Sequence, residues 1–218
     1  MADGSGLIFL GDAGASVCLV QAVDAHDEAL LPAEYARIRA QAAMPVALAA
    51  FRTADWNRDL SPWAADAVFG KAGFAGGAEE TLKYLLHTFL PQAKEALSLP
   101  DCVRFILGGY SLAGLFALWA CCRTDAFSAC AAASPSVWFP GWIDYAQTHP
   151  LRCERVYLSL GDKEPKTRNS VMARVGDCIR RQEALLSEIP HTLEWNEGNH
   201  FREPEVRTAK AFAWCLQG

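Results

Sequence analysis

The stretch ILGGYSLAGLFALWA, residues 106–120, joins two apolar runs through a glycine-flanked serine. The first run is short and strand-like, and the second is long enough for a buried helix. A strand must therefore enter the turn and a helix must leave it. Neither buries its apolar surface alone, so both belong in a layered structure of sheet and helices.

The remainder of the chain repeats this alternation. Strand-like runs are LIFLG (7–11), SVCLVQAV (16–23), PVALAAF (45–51), CVRFILGG (102–109), FSACAAASPSVW (127–138), RVYLSLGD (155–162) and HTLEWNEG (191–198). Helical patterns lie at 34–43, after Pro32, and at 78–97, where Pro91 is expected to kink the helix. Further helices are expected at 112–123, 171–189 and 204–217. Strands alternating with helices predict an α/β fold: a mainly parallel sheet with helices on both faces. The first two runs flank Asp12 and Gly14, which predicts an N-terminal antiparallel hairpin. The 218 residues suit a single domain over 1–218, with no repeat and no low-complexity linker.

Composition narrows the function. A formal charge of −5 disfavours general nucleic-acid binding, which needs a clustered positive field. No apolar run reaches the roughly 18 residues that span a membrane. The N-terminus carries Asp3 where an export signal would carry positive charge, so a cytoplasmic protein is expected. The 8 cysteines lie mostly in or beside apolar segments and show no zinc-ligand spacing. They read as reduced, space-filling thiols, with no metal and no cofactor implied.

The turn itself has the setting of a nucleophile elbow, in which a serine hydroxyl projects past the strand ends. The sequence Gly109-Tyr110-Ser111-Leu112-Ala113 departs from the G-x-S-x-G pattern at its fifth position, with Gly114 one place later. On pattern alone, an idle serine in a tight turn remains a rival. If Ser111 is the nucleophile, the N–H of Leu112 is a natural oxyanion donor at the start of the helix.

A serine nucleophile needs a base, and the chain has 5 histidines. His87 falls within a helix, and His191 begins a strand at the end away from the site. His149 precedes Pro150 in a connection, and His26 follows the second strand. His200, in NEGNHF, follows the last strand, at the carboxyl-terminal edge where sites form in such sheets. The orienting acid should follow a strand between serine and histidine. Both Asp162 and Glu164 lie in the loop GDKEPKTRN, and Glu164 sits further past the strand end. A dyad of Ser111 and His200 without an acid is the third arrangement.

With these residues placed, the chain resembles the esterase D-like family of α/β-hydrolases, nearest to small enterochelin- or siderophore-esterase-like bacterial members. The resemblance runs from about Pro45 to the C-terminus. DWNRDLSPW (55–63) is similar to the loop after the third strand in that family, GGYSLAG (108–114) to its elbow, and LGDKEPKTRN (160–169) to its acid loop. It implies an α/β-hydrolase fold, Ser111 as nucleophile, His200 as base and Glu164 in the acid position. It also places the second oxyanion N–H near Arg52 or Thr53, with Asn57 and Arg58 lining the site beside Tyr110. Within 134–150, Trp138, Phe139, Trp142 and Tyr145 are expected either to form a small aromatic cap walling the acyl group or to cover the sheet edge. The expected activity is hydrolysis of a small-molecule carboxylic ester or thioester through an acyl-enzyme. Acyl transfer on the same residues, or a silent binding module on the same scaffold, are the rivals.

Overall fold

The computed structural model describes residues 6–11, 13–68 and 70–217. The strands and helices alternate in chain order. They begin with β1 (Leu7–Gly11), β2 (Val17–Val23), α1 (Ala25–Arg39) and β3 (Val46–Arg52). The connection after β3 holds the short α2 (Trp56–Asp59) and the two-residue strands β4 (Ala64–Ala65) and β5 (Phe74–Ala75). One long helical segment follows: α3 (Ala78–Tyr84), a π-helical turn at Leu85–Phe89, and α4 (Leu90–Ala96). Then come β6 (Arg104–Tyr110), α5 (Leu112–Arg123), β7 (Phe127–Ala133), α6 (Trp142–Thr148) and β8 (Arg155–Gly161). The last elements are α7 (Val175–Ala184), β9 (His191–Asn196) and α8 (Pro204–Cys215).

The main sheet has the order β1-β3-β2-β6-β7-β8-β9. Only β1 runs antiparallel, so the sheet is mainly parallel, as the alternation predicts. The predicted hairpin is corrected. β1 and β2 do not pair with each other; β3 lies between them, with Leu7 opposite Phe51 and Val17 beside Val46. Asp12, assigned to that turn, lies outside the described residues. The physical reason is β3 itself. It is buried from Val46 to Phe51, and such a strand belongs in the sheet interior with neighbours on both edges.

Side chains alternate between two cores. Val17, Leu19, Leu48 and Ile106 face α1 and α8. Cys18, Val20, Ala49 and Leu107 face the opposite layer, which includes α3, α4 and α5. Among the described residues no helix is long and apolar enough to cross a membrane.

Two helices depart from expectation. α1 begins at Ala25, well before Pro32, because Asp24 caps it by accepting from the N–H groups of His26 and Asp27. The segment 78–96 continues past Pro91 and places its irregularity upstream, in the π turn. Proline has no N–H to donate back to the preceding turn, and the widened turn accommodates that loss.

Candidate active site

β6 delivers the serine. Ser111 has φ 57° and ψ −119°, a conformation that L-residues rarely hold outside functional turns. Two clasps fix it: its N–H donates to Ala133 O at 3.1 Å, and its carbonyl accepts from Ser136 N–H at 3.0 Å. Gly109 has φ 157°, and a Cβ there would lie 2.6 Å from the Cβ of Ala113. The absent side chain at 109 makes room for alanine at the fifth position of the motif. α5 then begins at Leu112 with no side chain capping it, which leaves its first turn directed toward the serine hydroxyl's surroundings.

The carboxyl ends of the parallel strands bring the other groups alongside. His200 Nε2 is 2.9 Å from Ser111 Oγ, and His200 Nδ1 is 2.7 Å from Glu164 Oε2. With Nδ1–H donating to the carboxylate, Nε2 is left to accept from the serine. Glu164 is 9% exposed, and its other oxygen accepts from Gly161 N–H at 2.7 Å. Asp162, the other acid candidate, is exposed and turned elsewhere. Its Oδ1 accepts from Gly198 N–H at 2.6 Å and ties the loop after β8 to the loop after β9. Tyr110 donates its hydroxyl to His200 O at 2.8 Å, and burial pushes that hydroxyl up to about 12.

Ser111 and His200 open onto two cavities. One, of about 460 Å³, has an aromatic wall of Trp56, Phe74, Trp138 and Phe201, with Met172 and Asn57 beside them. The other, of about 630 Å³, lies toward α1 and α8 and is lined by Asp24, Asp27, Glu203 and Glu205 as well as Tyr110. Phe201 stands at the lip of both and is 85% exposed.

No protein-family model matches the chain, and no curated protein sequence matches it. Solved structures do match. An IroE-like serine hydrolase from Shewanella oneidensis has a TM-score of 0.77 at 15% identity, over 97% of this chain and 75% of that one. The siderophore hydrolase EstA from Aspergillus nidulans has a TM-score of 0.68 at 16% identity, over 99% and 96%. The enterobactin esterase FES from Shigella flexneri has a TM-score of 0.67 at 15% identity. There the match covers 96% of this chain and 54% of the esterase, so this chain spans about half of that protein.

The fold is that of the α/β-hydrolases. Within it, Leu112, Tyr110, Asn57 and Trp138 border the cavities at Ser111, whereas three residues expected there do not. Arg52 N–H donates to Gly6 O at 2.8 Å and Thr53 N–H to Val23 O at 3.3 Å, so both still behave as a continuation of β3. The Arg52 side chain pairs with Glu28. Arg58 turns its Nε to Asp59 at 2.7 Å. The connection after β3 reaches the serine later, at Trp56 and Asn57, after Asp55 has capped α2 by accepting from Arg58 N–H. Of the aromatic residues in 134–150, Trp138 reaches the cavity, while Phe139 and Trp142 are buried in the core.

Three residues near the serine are not among the site residues expected from the sequence. Ser136 Oγ lies 3.3 Å from Ser111 Oγ. Trp56 lines both cavities, one place before the expected Asn57 and Arg58. Arg207, on α8, reaches Glu164 Oε1 at 3.2 Å, 43 residues away in the chain.

Proposed function

We propose that the protein is a serine hydrolase that cleaves a carboxylic ester of a small molecule. The observation that carries this reading is the unbroken series from Ser111 Oγ through His200 to Glu164, at 2.9 Å and 2.7 Å, opening onto an apolar cavity. The identities of its structural neighbours, a serine hydrolase, a siderophore hydrolase and an enterobactin esterase, support the same chemistry.

In this reading Ser111 Oγ attacks the ester carbonyl carbon as its proton passes to His200 Nε2. Glu164 keeps the imidazole oriented and stabilises the imidazolium that forms. The oxyanion is met by the Leu112 N–H and by the backbone of the Trp56–Asn57 turn, which takes the role first expected of Arg52 or Thr53. The carbonyl re-forms as the alkoxide leaves, protonated by His200. Water, deprotonated by His200, then attacks the acyl-enzyme, and Ser111 recovers its proton. The aromatic wall suits an apolar or aromatic group on the substrate. The chain works as one domain, with Trp138 as the part of 134–150 that covers the substrate. The 8 free cysteines, all but Cys102 buried, support a reducing, cytoplasmic setting. Burial pushes the Cys18 thiol up to about 12 and the Cys130 thiol up to about 11, which suits inert core residues.

Ser111→Ala tests the reading. It should keep the fold, lose labelling by a fluorophosphonate probe, and lower p-nitrophenyl acetate hydrolysis by about 10³-fold or more. Hydrolysis at the wild-type rate by the folded variant would rule Ser111 out as nucleophile.

A further inference from the structure

The guanidinium of Arg207 touches all three segments that carry the proposed triad. Arg207 is 3% exposed. Its Nη1 donates to Glu164 Oε1 at 3.2 Å, on the loop after β8. The same nitrogen donates to the Tyr110 hydroxyl at 3.0 Å, next to the nucleophile at the end of β6. Nη2 donates to Glu197 O at 3.1 Å, on the loop that carries His200. Tyr110 extends the tie by donating to His200 O. A structural filler at this point of α8 would need no charge. A buried guanidinium is costly to desolvate unless it is paired, and its partner here is the carboxylate that holds His200.

We infer that Arg207 is a positioning residue for the Glu164–His200 pair, fixing which carboxylate oxygen faces the imidazole and restraining the basicity of His200. The inference rests on the serine hydrolase reading above. Its geometry follows from occupancy: with Oε1 committed to Gly161 N–H and Arg207, Oε2 remains for His200 Nδ1. Its electrostatics follow from sign. A fixed cation beside Glu164 offsets part of the carboxylate field at the imidazole and so disfavours the imidazolium.

Other titratable groups face His200. Glu164 and Tyr110 contact it directly. Lys163 and Lys166 flank it in the groove after β8. Asp24, His26, Asp27, Glu203 and Glu205 share its cavity on the α1 and α8 side. Arg207 differs from the lysines in being buried and in direct contact with Glu164, so solvent screens it least.

The test is the pH dependence of Ser111 inactivation by a fluorophosphonate, which reports His200 in the free enzyme without a known substrate. Arg207→Met and Arg207→Gln remove the charge. Gln keeps a donor toward Glu164, so it is the variant better suited to folding. In both, the acid limb should move upward by about one pH unit, and the plateau rate should fall about tenfold. Arg207→Lys should leave the limb near its wild-type position while still losing rate, because one ammonium cannot make all of these bonds. A residue with only a structural role would lower Tm and the plateau but leave the limb in place. Folded neutral variants whose limb stays put or moves downward overturn the inference. Wild-type protein that fails to label at Ser111 overturns the hydrolase reading, and this inference with it.

Discussion

Two buried glutamates sit in contrasting surroundings. Glu164 is 9% exposed and Glu34, on α1, is 5% exposed. Glu164 meets a backbone N–H, an imidazole and a guanidinium. Glu34 meets a neutral amide, Gln21 Nε2, at 2.8 Å, and its charged neighbours Asp27 and Glu205 are carboxylates as well. Burial pushes the Glu34 carboxyl up to about 8, although the Gln21 bond opposes the shift. Depth alone therefore does not give a carboxyl its role. A buried acid with only neutral partners holds its proton, whereas one given a cation and fixed donors is equipped to orient a base. The difference lies in α8, which places Arg207 beside Glu164 and Glu205 toward Glu34.

The largest effect should come from Glu164→Gln, which keeps the shape of that site and removes its charge. Turnover should fall by about 10³-fold to 10⁴-fold, since an uncharged partner neither selects the right tautomer nor stabilises the imidazolium. Stability should also fall, by about 3–5 kcal/mol, because Arg207 would be left buried without its counter-charge. Steady-state kinetics with p-nitrophenyl acetate and urea unfolding measure the two. Glu34→Gln should leave turnover within about twofold. The comparison breaks if the two glutamine variants impair turnover alike.

Glu34→Gln should instead reveal itself in the pH dependence of stability. An ordinary glutamate releases its proton near 4.5, so between about 4.5 and about 8 the folded state binds one more proton here than the unfolded chain. Stability then falls as pH rises through that window, and the loss is complete above it. The slope is at most about 1.4 kcal/mol per pH unit. Asp27, pushed up to about 6 by burial and by Asp24, adds a slope of the same sign at lower pH. The interval from pH 6 to 8 therefore isolates Glu34. Unfolding free energies at pH 6, 7 and 8 should show the wild type losing stability relative to Glu34→Gln. Parallel curves would mean that Glu34 is ionised in the fold, and the contrast with Glu164 would vanish.

What the sequence reveals about these two sites follows from the range of the forces involved. The end points of α5 (112–123) are legible because a continuous apolar run meets a glycine turn at one end and Arg123 at the other. The alignment of Ser111, His200 and Glu164 is legible because all three follow strands of a parallel sheet, and such strands end on one edge. Contacts decided by packing are not legible. Arg207 reads as one charge among several on a helix that opens with Pro204 and Glu205, and only the docking of α8 makes it a partner of Glu164. Glu34 is the first residue of the helix expected at 34–43, and only the upstream extension of α1 from Asp24 and its packing set Glu34 against Gln21 of β2. The exchange of β1's partner has the same origin: proximity in the chain favours β2, but β3 needs covered edges on both sides.

The finest test of the contrast is Gln21→Met, which keeps the length of the side chain and removes the donor to Glu34. Gln21 is 3% exposed on β2, so no solvent group readily replaces it. Near pH 6, where Glu34 is protonated, the loss should be about 1 kcal/mol, the usual net contribution of a neutral hydrogen bond. Near pH 9 the wild-type carboxyl is ionised and the same donor supports a charge, so the loss should rise to about 2 kcal/mol. The upper edge of the pH window should also move above 8, because the donor that favours the ionised form is gone. Unfolding at the two pH values separates these outcomes. An equal loss at both would mean that Gln21 does not distinguish the charged from the neutral form. Glu34 would then owe its state to burial and to Asp27 and Glu205 alone, which would widen its distance from Glu164, whose donors are arranged around a charge.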